Sequence, residues 1–204
     1  MRKKSHISLA KFLLNNMNVN DLNEHKKAFY IGSILPDLKP SFLTQRHNIE
    51  GTFGILIEEI KKITVYYDID KGITGYYARH LGIVTHYLAD YFTFPHNSIY
   101  QGSIRDHCKY EKELKFLLRE YVERKDVQRE RPRKYASYSI EDIFRIIVKT
   151  HEEYLKALNN ITQDIQYIVD LCYKVVDAIL LFFELACVSL KNSSYHHNNV
   201  KSAI

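Results

Sequence analysis

Between Ile165 and Leu190 the chain is almost wholly apolar, and its only charges are Asp170, Lys174, Asp177 and Glu184. Those four fall within one stripe at the helical period. A single polar stripe on an otherwise apolar helix describes a central core helix, not a membrane span. Such a helix must be surrounded by others. The rest of the sequence agrees, because only 7 Gly and 4 Pro occur in 204 residues and few runs alternate apolar with polar. The expected fold is all-α, a single-domain helical bundle over residues 1–190, followed by a polar, disordered tail over 191–204.

Arg2, Lys3 and Lys4 resemble the basic start of a signal peptide. The apolar run that follows is broken by Lys11 and leads into Asn15 and Asn16, without a small-residue cleavage site. It reads as a mature amphipathic helix, and the expected location is cytoplasmic. Cys108, Cys172 and Cys187 match no cysteine-based zinc module and suit reduced thiols. The net charge of +5 is mild and predicts no stable nucleic-acid complex.

Punctuation along the chain predicts the elements. Ser5 caps a first helix to Met17, and Asp21 a second that runs through Ile34 and ends before Pro36. Residues 37–47 form a loop. Helices then cover 48–64 and 74–92, with a connection at 65–73 and a loop at 93–105. A helix from Arg105 to Glu123 leads into the charged run Arg124–Lys134, read as a solvated helix end or loop. Ser139 with Asp142 resembles a capping box that opens a helix to Leu158.

Function resides in histidines and carboxylates. His86 and Asp90 are four apart and project from one face of the long helix; His107 and Glu111 repeat that spacing. His96 follows Pro95, where a rigid turn can aim its imidazole back at the site. Asp37 follows Pro36 at a helix end, and His47 lies ten residues later. Taken singly, a His-x3-Asp pair on a helix is more often a surface pair than a ligand pair. The conjunction supplies the N and O donors that zinc takes at about 2.0–2.2 Å. His25 and His80 read as core-edge or surface residues, His151 lies on a late helix without a role in the site, and His196 and His197 belong to the tail.

These stretches resemble the zinc-dependent phospholipase C family, related to the S1/P1 nucleases. The carriers are Ala28–Asp37, His47, Leu81–Asp90, Pro95–His96 and His107–Glu111. The resemblance implies an all-helical domain with two to three zinc ions. It implies that Asp37, His47, His86 and Asp90 hold one, that Asp90 bridges to a second also bound by His6, and that His96, His107 and Glu111 hold the third. Glutamate at 111 is more like the phospholipase branch. In the family an N-terminal tryptophan gives its amine and carbonyl to the zinc that corresponds to the one at His6, but this chain has Met1 and no tryptophan. Two outcomes are open: the Met1 amine substitutes, or the second metal is weak, absent or completed by water.

The resemblance implies a phosphoric ester hydrolase in which metal-bound hydroxide attacks a phosphodiester, with Asp37 orienting or deprotonating the water. The substrate is a phosphate ester, with phospholipids among the options. The alternatives are a nuclease- or nucleotidase-like phosphoesterase and a helical metal-binding module without catalysis. A helical phosphohydrolase of the HD type needs an adjacent His-Asp pair, and the sequence has none.

Overall fold

Thr74 starts the helix around which the molecule is built. Its Oγ1 accepts the Tyr77 N–H at 3.3 Å, which caps α5 (Gly75–Tyr91). From Tyr77 onward almost every residue of α5 is buried, so the helix is enclosed on all sides. The computed structural model describes residues 1–38, 47–131, 139–157 and 160–201, the last stretch as backbone alone at 191 and 193–201. The described residues form eight α-helices and no strand. The others are α1 (Lys3–Met17), α2 (Asn20–Glu24), α3 (Lys26–Ile34), α4 (Ile49–Lys62), α6 (Ile104–Glu123), α7 (Ile140–Lys156) and α8 (Ile161–Lys201).

The closest helix pair is α3 against α5. A Cβ on Gly32 would overlap the Arg79 carbonyl, and one on Gly82 would overlap the Phe29 carbonyl, so both positions need glycine. This approach also explains a difference from the expected elements. The single helix expected from Asp21 to Ile34 is broken at His25, whose φ of −100° and ψ of 20° leave the helical region. The break turns α3 so that it can lie along α5.

The first helix begins earlier than Ser5. Arg2 holds the N-cap position, and Ser5 is buried inside the first turn. The early start carries Met1 into the interior, where the residue is 4% exposed. Asp21 does not cap either: α2 starts at Asn20 with Val19 at the N-cap position, and Asp21 lies inside the first turn. The expected box at Ser139 is present: Ser139 Oγ accepts the Asp142 N–H at 3.1 Å while Asp142 accepts the Ser139 N–H at 3.1 Å.

The polar stripe of α8 faces the segment that follows α6. Arg129 pairs with Asp170, and Arg131 reaches Asp177 and Glu184 at 2.6 Å each. Arg129 and Arg131 therefore cover α8, while Arg124, Lys125, Asp126, Gln128 and Glu130 are exposed, as a solvated helix end is; Pro132 to Lys134 lie outside the described residues. No helix among the described residues is long and apolar enough to cross a membrane. α8 continues to Lys201, beyond Leu190, and the side chains of the tail expected at 191–204 fall almost wholly outside the described residues.

Candidate metal centre

α5 places His86 and Asp90 on one face, both with no exposed side-chain surface. Burying an ionised carboxylate costs several kcal/mol even after relaxation. Leu81 and Leu88 on the same helix each return only about 1.5–3 kcal/mol by their own burial. The helix can carry Asp90 only where partners offset most of that cost.

Those partners converge from four elements. Asp90 Oδ2 lies 3.1 Å from His47 Nδ1, 3.2 Å from His86 Nε2 and 3.7 Å from His96 Nδ1. Asp37, in the short turn Pro36–Leu38, has Oδ1 3.7 Å from His86 Nε2 and 3.9 Å from His47 Nδ1. Asp37, His47, His86 and Asp90 thus form one inner group, with ligand atoms all within 4.8 Å of one another. His96, His107 and Glu111 form an outer group under the same limit. Glu111 Oε1 stands 3.3 Å from His107 Nε2 and 3.4 Å from His96 Nε2.

Asp90 Oδ1 faces the other way. It accepts the Met1 amine at 2.6 Å and lies 3.4 Å from His6 Nε2. The Met1 nitrogen is also 3.0 Å from His96 Nε2 and 3.2 Å from Glu111 Oε1. The two oxygens of Asp90 therefore face different groups, His47 and His86 on one and His6 with the Met1 amine on the other, as a bridging carboxylate does, and His96 stands beside both.

The donor chemistry fits a cation. His86 Nδ1 lies 2.9 Å from the Ser33 carbonyl, which can only accept, so the proton sits on Nδ1 and Nε2 presents a lone pair. That lone pair faces His47 Nδ1 at 3.0 Å and two carboxylates. His6 stacks on His86 at 4.1 Å between ring centroids, and neither of its buried nitrogens makes a hydrogen bond. A buried imidazole without partners, beside a carboxylate, is an orphan that a metal ion would satisfy.

The charges are correspondingly displaced. Burial, helped by His86, pushes His6 down to about 3, which keeps it neutral as a ligand must be. Burial would raise the Asp90 carboxyl, but the Met1 amine and His96, His86 and His6 hold it well below the usual range. Glu111 is lowered in the same sense against its own burial, by His107 and His96. Asp37 goes the other way: burial raises its carboxyl and the nearby histidines do not fully compensate.

The family model of zinc-dependent phospholipase C matches residues 5–161. The chain belongs to this family. All eight expected ligands lie within the matched span, from His6 to Glu111. No curated protein and no solved structure matches the chain. Membership of a zinc-dependent phospholipase C family, together with the two His/Asp/Glu groups, supports a zinc-binding hydrolase.

The structure brings the eight sequence-derived residues into one cluster, and it brings Met1 with them. Other participants had no signal in the sequence reading. Ser33 contributes through its backbone carbonyl, which no residue type encodes. His151, given no role from its place on a late helix, is buried and bonds Asn97 Oδ1 at 2.8 Å through Nε2. Asp164 is fully buried at the start of α8 and binds the turn that carries His96.

Proposed function

We propose that the chain is a zinc-dependent phosphoesterase of the phospholipase C type, hydrolysing a phosphate ester such as a phospholipid headgroup ester. The observation that carries this reading is Asp90, buried and shared between the inner group on one oxygen and His6 with the Met1 amine on the other. Asp37, His47, His86 and Asp90 would hold one zinc, His96, His107 and Glu111 another, and His6 with Asp90 a third. Bound zinc supplies positive charge for the phosphate oxygens and acidity for a water molecule.

The residues themselves supply order and proton transfer. The Ser33 carbonyl fixes the ring orientation and tautomer of His86. Asp37 is the candidate base: it is the one carboxylate of the inner group that is not fully buried, so a water entering there comes within its reach. In the reaction, water oxygen bonds to phosphorus as Asp37 takes the proton at a carboxylate oxygen. The ester P–O bond breaks, and that proton returns to the leaving alcohol.

Where Met1 is the N-terminus, its amine would complete the His6 site, because Asp90 Oδ1 meets both the amine and His6 Nε2. Burial opposes its charge, but Asp90, Glu111 and Asp37 outweigh burial and raise it above its ordinary value. Binding to a metal would then release a proton. Adding one residue before Met1 should lower the zinc count by one per chain, with intact mass confirming the terminus; an unchanged count would remove Met1 from the site.

The function is tested by assaying phosphodiester, phosphomonoester and phospholipid substrates against zinc content, with and without chelator. Hydrolysis that follows zinc occupancy supports the enzyme. Full zinc occupancy without hydrolysis of any of these would favour a binding module, and equal activity in the chelated protein would sink the metal mechanism.

A further inference from the structure

His96 sits on a turn of only three residues, Phe94–His96, and such a turn cannot hold an imidazole in place by its own hydrogen bonds. Its first N–H, from Phe94, precedes the helical bonds of the turn and needs an outside acceptor. Asp164 supplies it: Oδ2 accepts the Phe94 N–H at 2.8 Å. The same oxygen accepts the hydroxyl of Tyr110, which lies on α6 between His107 and Glu111. The second oxygen, Oδ1, accepts the Tyr154 hydroxyl of α7 at 3.0 Å. One carboxylate oxygen therefore ties together the turn that bears His96 and the helix that bears the other two outer ligands.

The turn is held from its other end as well. Asn97 Nδ2 donates to the Tyr91 and Thr93 carbonyls at 3.1 Å each, and His151 secures the opposite atom of that amide. Burial pushes the Asp164 carboxyl up to about 6 even with three donors bound to it. A carboxylate kept at that cost in an apolar setting is poor value for stability alone.

We propose that Asp164 is a positioning residue for the outer metal group, setting the distance between His96 and the His107/Glu111 face of α6 through the Phe94 N–H and the Tyr110 hydroxyl. It belongs to neither ligand group and acts through the residues that carry the ligands. The inference assumes that the outer group binds zinc, as argued above.

The test is zinc titration of the metal-stripped full-length protein by calorimetry, with the outer class of sites assigned as the one lost in Glu111→Ala. Asp164→Asn and Tyr110→Phe should each weaken the outer class by roughly 10-fold or more, the effect usual for a residue that orients a ligand. The inner class should stay within about threefold. Tyr154→Phe also removes one bond to Asp164 but frees neither ligand element, so its outer class should remain near wild type. An unchanged outer class in Tyr110→Phe, or equal weakening in Tyr154→Phe and Tyr110→Phe, would overturn the positioning role. Tyr110→Phe loses a single hydroxyl and carries the test even where Asp164→Asn fails to fold. If the wild-type protein shows no class that Glu111→Ala removes, the metal reading fails first and this inference with it.

Discussion

The inner and outer groups use the same residue types in opposite settings. His86 and Asp90 have no exposed side-chain surface, and both come from one enclosed helix. His107 keeps 34% of its side-chain surface and Glu111 keeps 17%, on a helix whose other face is in water. The inner group is oriented by a backbone carbonyl across a glycine-lined helix contact. The outer group is oriented by side chains, Asp164 and Tyr110. Rigidity that comes from packing is hard to alter singly, whereas rigidity that comes from a side-chain bond can be removed with one atom.

The sharpest way to break this contrast is Asp90→Ala. It should abolish zinc at the inner and His6 positions, retain one zinc on the outer group, and lower activity on the order of a thousandfold or more. Retention of all zinc by elemental analysis would mean that Asp90 is no bridge. Next in size, Glu111→Ala should weaken the outer zinc by at least about 100-fold, because losing a ligand exceeds losing an orienting partner. If the inner zinc weakens equally, the two groups are one site.

Gly82→Ala acts on the inner group through packing. Its methyl would meet the α3 backbone at Phe29 and Ser33, so the cost should be about 1–3 kcal/mol in denaturant unfolding. The same shift moves the Ser33 carbonyl from His86, so inner zinc affinity should fall while the outer affinity holds. Equal stability to wild type would show that the helices separate freely.

The smallest effect is a pH dependence in the chelated protein. His6 is depressed to about 3, so the unfolded chain takes its proton first as pH falls below about 6.5. The contribution is full above that value and is lost as pH drops toward the folded value, at about 1 kcal/mol per pH unit. The depressed Asp90 carboxyl adds loss in the same direction, below its unfolded value. His6→Leu should flatten the slope between pH 6.5 and 5 in urea titrations; an unchanged slope would place the acid sensitivity elsewhere.

Much of the helical framework was legible because its signals are local. Thr74 begins α5, Pro95 follows its end, and Ser139 with Asp142 opens α7, each through bonds that span three or four residues. The pairs His86/Asp90 and His107/Glu111 were legible for the same reason, since an i,i+4 spacing shares a face whatever the fold. The break at His25 was not, because it answers to the close approach of Gly32 and Gly82, which lie fifty residues apart.

By itself, then, the sequence determined an all-helical chain and the pairs His86/Asp90 and His107/Glu111, which follow from residue type and short spacing, while His6 joined the candidate ligands through the family resemblance alone. Only the tertiary structure decided that Met1 enters the site, that Ser33 orients His86 and that Asp164 joins the His96 turn to α6. Those contacts span from 53 to 89 residues of chain. Periodicity describes which face a residue shares with its neighbours. Which faces meet is set by how the helices pack, and that depends on the whole core at once.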